Sequence, residues 1–324
     1  MRIQNGVSIV ICCYNSISRL KPTLEHLATQ EVSEKIPWEI VIIDNHSNDG
    51  TTEYATQVWK KLNCNIPFCV ILETQQGLSF ARQKGILSAQ YDYILFCDDD
   101  NWLDNHYVTT VFELFENNID VGVIGGKGKA VSDVSFPKWF ADIQDFYAVG
   151  AQQDKSGYTN NKAVYGAGMA VRTSIYLDIL NNYKLLLTGR KGNKMTAGED
   201  YEICSIFMIL GYNILYDSNL TFAHFIPKER LTKEYFNKVR KGCVEATIYL
   251  IPYYHELNNK PTAFSWYLLR FFKQLTVNIL VNCLLFFRKP NKGLFNLMLI
   301  FQELKHPLKV YKIRKNRFPL KFTD

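Results

Sequence analysis

Along the first hundred residues, apolar and polar positions come in blocks whose period keeps switching. Residues 7–13 form an unbroken apolar run, as in a strand covered on both faces. Residues 18–30 follow with Leu20, Leu24 and Leu27 at helical spacing. The alternation repeats: strand at 39–43, helix at 51–62, strand at 68–72, helix at 78–89, strand at 91–97. This order predicts an α/β fold, a Rossmann-like, mostly parallel sheet with helices on both faces. Such sheets bind ligands beyond the carboxyl ends of their strands. Residues 125–161 lose the pattern and read as an irregular functional loop rich in Gly, Asp, Gln and aromatics. Regular signals return at 163–171, 199–210 and 215–225, and a charged helix is expected over 232–249.

Three strands deliver polar groups to one sheet edge. The first ends in Tyr14 and Asn15, the second in Asp44 followed by Asp49, the fourth in Asp98, Asp99 and Asp100. Three adjacent carboxylates repel one another, and a hard divalent cation, Mn²⁺ or Mg²⁺, removes that repulsion while bridging to substrate phosphates. In extended chain Asp98 and Asp100 point the same way; the alternative is an Asp-rich turn that caps a helix. Asp44 is suited to a nucleobase N–H or a ribose hydroxyl, and is left free for it because Asp49 is the better placed helix cap. Ser79 is expected to cap the next helix, whose first turns carry Arg82. A helix N-terminus with an arginine suits pyrophosphate, although a surface arginine looks the same in sequence.

Residues 8–15 (SIVICCYN), 41–51 (VIIDNHSNDGT), 77–85 (GLSFARQKG) and 94–100 (ILFCDDD) together resemble the family 2 glycosyltransferases of the GT-A fold, over roughly residues 5–230. The resemblance implies an inverting enzyme of the bacterial polysaccharide-synthesis type. It moves a sugar from a nucleotide-sugar donor, by expectation a UDP-sugar, to a hydroxyl of a glycan or lipid-linked acceptor. It further implies that Asp44 contacts uracil, Asp98 the ribose, and that Asp100 binds the metal. Residues 166–172, including Gly168, are similar to the family's glycine loop near donor sugar and acceptor. In the Gly198-Glu199-Asp200 motif, Asp200 takes the place of the catalytic base, with Glu199 a candidate for acceptor binding. His224 stands where members place a late metal- or diphosphate-approaching histidine, with Lys228 and Arg230 close behind. The nucleotide-sugar set is then Tyr14, Asn15, Asp44, Arg82, Asp98, Asp99 and Gly168, and the metal set Asp98, Asp100 and His224. Cys13 stands where the family usually has Pro, and Gln83 where it has Asn.

One base opposite the leaving group gives inversion; retention usually calls for a second, nucleophilic carboxylate. The rival readings are a sugar-nucleotide nucleotidyltransferase and a non-catalytic nucleotide-sugar-binding module. The first generally needs a glycine-rich phosphate loop after the first strand, and residues 12–16 contain no glycine. Intact Asp98, Asp100 and Asp200 argue against the second.

Composition refines this picture at the C-terminal end. The chain has 324 residues, 47% hydrophobic, and a net charge of +6. From residue 288 onward ten Lys/Arg face two acidic residues, so the basic character belongs to the tail. Residues 263–287 are apolar but interrupted by Arg270, Lys273, Asn278 and Asn282. Their longest charge-free part, 274–287, is shorter than a bilayer span. An interfacial helix on an anionic membrane is therefore expected, with Arg288, Lys289 and later cations on the headgroups, and no nucleic-acid partner. The division expected is a catalytic domain at 1–230 (donor half about 1–125, acceptor half about 126–230) and a helical, basic, membrane-associating extension at 231–324. Eight cysteines without a C-x-x-C pair, and an N-terminus without a secretory signal pattern, fit reduced thiols in a cytoplasmic protein at the inner face of the membrane.

Overall fold

The computed structural model describes residues 4–160, 162–190, 195–261, 263–288 and 290–318; Lys289 lies outside them. The expected series is present as β1 (Gln4–Cys13), α1 (Ile17–Ala28), β2 (Trp38–Asp44), α2 (Thr51–Leu62), β3 (Phe68–Leu72), α3 (Leu78–Ser88) and β4 (Tyr91–Asp98). Strands β3, β2, β1 and β4 pair in that order, all parallel. The apolar runs of β1, β2 and β4 are buried from both sides, while β3 at the sheet edge stays half-exposed. Ile9, Ile11, Ile40 and Leu95 pack under α1 and α2, while Val10, Val41, Ile43 and Ile94 pack under α3. That two-sided cover is why the strands read as continuous apolar runs.

The second half departs from the sequence pattern. A short strand β5 (Asn101–Leu103) and helix α4 (Tyr107–Asn117) precede β6 (Val121–Val131). β6 runs on through the stretch expected to be irregular from residue 125. Its glycines explain the masked signal, because neighbours occupy the space a side chain needs. A Cβ on Gly125 would lie 2.4 Å from Val164, and one on Gly126 2.4 Å from the Leu220 carbonyl. Beyond Val131 the chain is irregular, as expected. The regular element expected at 163–171 shrinks to β8 (Ala170–Arg172), after the two-residue β7 (Gly157–Tyr158). A turn closed by Met169 N–H on the Gly166 carbonyl, with Gly168 at φ +67°, breaks the segment before it. β8 joins β4 and β6 antiparallel, and β9 (Asn213–Phe225) pairs parallel with β6 and antiparallel with β5.

Helix α5 (Thr173–Asn182) follows β8, and α6 (Glu199–Ile209) opens on the acidic motif. Glu202, fully buried in α6, accepts hydrogen bonds from the Leu186 and Leu187 amides and from Tyr253 Oη (2.6 Å). The charged helix expected at 232–249 is longer, α7 (Lys233–Leu257), and Thr232 caps it by accepting from the Tyr235 amide. α7 packs on α6.

The C-terminal region is helical as expected: α8 (Phe264–Lys273), a π-helical turn (Gln274–Asn278), α9 (Ile279–Arg288), α10 (Pro290–Lys305) and α11 (Pro307–Arg317). α10 folds back along α8 and α9, with Arg270 bidentate on Glu303 and Asn296 donating to Asn282. α11 packs on α7, and its Arg317 reaches Tyr253 Oη (2.9 Å) and the Lys184 carbonyl. The run Phe264–Phe287, 24 residues with an 18-residue stretch of mean hydropathy 1.3, is long and apolar enough by length and composition to cross a membrane. The Arg270 charge within this run is met inside the hairpin by Glu303. All eight cysteines are free thiols, with Cys13, Cys97 and Cys204 buried and Cys69 and Cys283 exposed.

Candidate active site

A cavity of about 640 Å³ opens at the carboxyl ends of β1, β2 and β4, and α6 and α7 close its far side. Asp98, Asp99, Asp100, Arg82, Glu199, Asp200, His224 and Tyr14 all line it. Of the carboxylates expected to share one rim, Asp98, Asp99, Asp100, Glu199 and Asp200 do, and Asp44 does not.

Asp200 lies at the start of α6, whose N-terminal amides favour negative charge nearby. Gly166 N–H donates to its Oδ2 (2.8 Å) and Tyr201 N–H to its Oδ1 (3.0 Å). Burial pushes its pKa up; Arg82 and these two amides pull the other way but do not cancel it. Glu199 is more deeply buried and ion-pairs with Arg82. Its Oε2 has no hydrogen-bond partner, and burial holds its carboxyl above the ordinary glutamate range despite Arg82. Arg82, 9% exposed, lies over the Phe96 ring at 5.3 Å. Burial disfavours its charge, yet Glu199 and then Asp98 outweigh that and keep it protonated. Arg82 is thus no surface residue, and its near partner is a carboxylate. Ser79 does not cap α3: Gly77 takes that place at φ +141°, its amide held by Asn45 Oδ1 (2.7 Å).

Asp99 and Asp100 point to separate tasks. Arg19 holds Asp99 from Nε (2.8 Å) and Nη2 (2.7 Å), Ser16 Oγ donates to the same carboxylate, and Thr23 Oγ1 donates to its carbonyl. Asp100 pairs with Arg230 (2.8 Å) and His224 Nε2 (3.5 Å). Burial would raise the Asp100 pKa, but His224, Arg230 and Arg19 together bring it below the usual aspartate value. Among the described residues no three His, Cys, Asp or Glu side chains gather as a ready ligand set. Asp98 does not join Asp100 and His224 because β4 ends at Asp98 and the chain turns at 99–100, so strand alternation stops there. The donors that remain fit a hard cation all the same. A carboxylate and an imidazole with a buried, unpartnered Nδ1 leave the other positions to phosphate oxygens and water.

Three expected binding residues do not line the cavity. Asp44, 4% exposed, accepts from the Ser47 amide (2.9 Å) and Thr52 Oγ1 (2.5 Å), so its oxygens shape the β2–α2 loop. Asn15, at φ +50°, bonds Ser47 Oγ through its amide and accepts from the Asn48 amide, tying that loop to β1. Gly168 faces away from the cavity: its carbonyl accepts from Tyr107 Oη (2.7 Å), and a Cβ there would stand 2.6 Å from that oxygen. Arg19 and Asn45 line the cavity and were missed. The signal was available for Arg19, three residues after Ser16 at the opening of a helix that starts on the binding edge. Tyr14 is 42% exposed in the cavity wall.

Comparison with known proteins agrees with this geometry. The family model described as Glycosyl transferase family 2 matches residues 8–180. A glucosyl-dolichyl phosphate glucuronosyltransferase of Haloferax volcanii is 24% identical over 237 residues, covering 67% of this chain and 68% of its own. A poly-β-1,6-N-acetyl-D-glucosamine synthase of Staphylococcus epidermidis is 32% identical over 121 residues, 37% of this chain and 28% of that longer protein. In fold, the chain is similar to S. aureus TarS 1–349 in complex with UDP (TM-score 0.54, 14% identity, covering 96% of this chain and 90% of that one). It is also similar to GalNAc-T7 with UDP, GalNAc and Mn²⁺ (TM-score 0.52, 15% identity, 69% and 44% covered). Motif order, parallel sheet and acidic rim converge with the family match over more than half the sequence: the chain belongs to the family 2 glycosyltransferases.

Proposed function

We propose that the protein is an inverting, metal-dependent glycosyltransferase. It moves a sugar from a UDP-sugar to a hydroxyl of a glycan or lipid-linked acceptor, in cell-surface polysaccharide synthesis on the cytoplasmic side of the membrane. The observation that carries this reading is the gathering of Asp98 and Asp100 at the end of β4, Arg82 of α3 and Asp200 of α6 in one cavity. Asp100 and His224 would hold Mn²⁺ or Mg²⁺, which when bound supplies Lewis-acid stabilisation of the leaving diphosphate. Arg230, beside Asp100, adds a second positive charge for the diphosphate. Asp98 and Tyr14 offer polar contacts to the nucleoside. Asp44 contributes by holding the loop rather than by touching a base. The UDP-bound similar structure and the Mn²⁺-bound one support the donor and cation classes.

Asp200 receives the acceptor proton. The Gly166 and Tyr201 amides orient its carboxylate, and burial makes it a stronger base than a solvated aspartate. Arg82 neutralises Glu199, so that a second negative charge does not stand beside Asp200. Asp200→Asn is the decisive variant. Nucleotide-sugar affinity stays within about twofold, while turnover falls about 10²–10⁴-fold. Because the Asp200 pKa is raised, the acid limb of kcat in the wild type lies above about 3.9, the ordinary aspartate value. Undiminished transfer by Asp200→Asn, or an acid limb at or below that value, refutes the assignment of the base.

A further inference from the structure

The π-interrupted helix from Phe264 to Phe287 carries a ladder of large apolar side chains on its outer face. Leu269 is 70% exposed, Leu280 67%, Leu284 69% and Phe287 82%, with Phe272 and Val277 exposed between them. The opposite face meets α7 and α11 at Tyr267 and α10 from Arg270 to Phe286. Tyr267 packs on His255 and Tyr311 at ring distances of 5.5 and 5.4 Å, Arg270 grips Glu303, Asn282 meets Asn296, and Phe286 leaves no room for a side chain on Gly293. α10 in turn packs on α7, so the hairpin lies against the catalytic domain. Its exposed face is therefore presented sideways, as in an interfacial helix.

Charge selects the occupant. α10 runs antiparallel, so its Lys292 sits near the Phe287 end of the ladder and its Lys305 near the Arg270 end. Both are exposed, as are Lys312 and Lys315 on α11. A second copy docking face to face through a two-fold axis would oppose these same lysines. A bilayer with anionic headgroups meets both the apolar ladder and the cations around it. α10 also supplies Phe295, which lines the cavity and packs edge-on against Phe146 at 5.0 Å, so a lipid surface at the hairpin adjoins the site.

We propose that the α8–α10 hairpin seats the protein in the surface of an anionic bilayer, the apolar ladder in the acyl boundary and the lysines among the headgroups. This seating is independent of the reaction proposed above and is tested without substrate. The full chain is sedimented with vesicles of phosphatidylcholine alone and of phosphatidylcholine with 30% phosphatidylglycerol (roughly one lipid in three, enough for a strong surface potential). The expected result is binding to the anionic vesicles, reduced by high salt. Leu280→Glu/Leu284→Glu lowers the partition coefficient about 100-fold or more. Both sites are exposed, so thermal unfolding of the variant matches the wild type. Equal partitioning of wild type and variant overturns the proposal. So does a wild-type dimer in vesicle-free solution that the double substitution dissociates, which would make the ladder a self-association surface.

Discussion

Replacing Arg82 by methionine tests how the acidic end of the site is held together. Arg82 and Glu199 are 9% and 8% exposed, and Glu199 Oε2 already lacks a hydrogen-bond partner. Removing the cation leaves a buried carboxylate beside Asp200, whose negative charge already pushes the Glu199 pKa upward. Breaking a buried pair from one side costs about 3–5 kcal/mol, more than an exposed bridge by several-fold. Some contact with Phe96 is retained by methionine, so the loss is mainly electrostatic. For a chain of 324 residues that corresponds to a fall in Tm of about 4–7 °C by calorimetry. Arg82→Met/Glu199→Gln removes both charges at similar volume and recovers most of the stability. The reasoning fails if Arg82→Met alone changes Tm by less than about 2 °C, or if the double variant is as unstable as the single one.

Two other sites make separate claims. Gly168→Ala forces a Cβ against Tyr107 Oη and Phe222 at φ +67°, and is expected to cost about 2–3 kcal/mol in urea unfolding. Nucleotide affinity of the folded fraction stays near wild type, because Gly168 does not line the cavity; a specific loss of affinity at unchanged stability contradicts this. His255 is buried against Trp266 and Tyr267, and burial, reinforced by Arg270, Arg314 and Lys260, lowers its pKa to about 3. The unfolded chain takes up that proton near the ordinary histidine value of about 6.5. The stability contributed by keeping His255 neutral is complete above that pH and is lost as pH falls toward 3. Between pH 7.5 and 5 the loss is about 2 kcal/mol. His255→Leu flattens that part of the stability–pH curve, and an unchanged slope shows that other groups set it.

The first half of the fold was legible because β1, β2 and β4 are buried on both faces and each helix on one, so period distinguishes them. Tyr107, Val108, Val111 and Phe115 carry the same signal for α4, which went unread between two motifs. β6 was hidden for a different reason: its glycines are required by the close approach of Val164, Leu220 and Phe222, contacts set by chain far away in sequence. The site was legible as a collection of charges, and Asp98, Asp99, Asp100, Glu199 and Asp200 do share a cavity. The division of labour within it was not. Which oxygen of Asp44 is already taken by Thr52, or that Arg19 spends its fork on Asp99, depends on tertiary distances that neither spacing nor motif encodes. Cys13 in place of proline leaves the strand intact: it pairs with Asp44 in the β1–β2 ladder, and its carbonyl accepts the Asn45 amide.

The fully buried carboxylate of Glu202 bears on any attempt to shorten the chain. One helical turn beyond the motif, it is anchored through Tyr253 to α7 and approached by Arg317 from the last helix at 3.8 Å. Cutting the chain before α8 would delete that final strut along with the greasy hairpin, and the segment carrying Asp200 would lose support at its inner side. A trimmed enzyme that fails to turn over would then say nothing about lipid. Repainting the outward-facing leucines with charge, with every helix kept, leaves the scaffold behind the acidic motif whole.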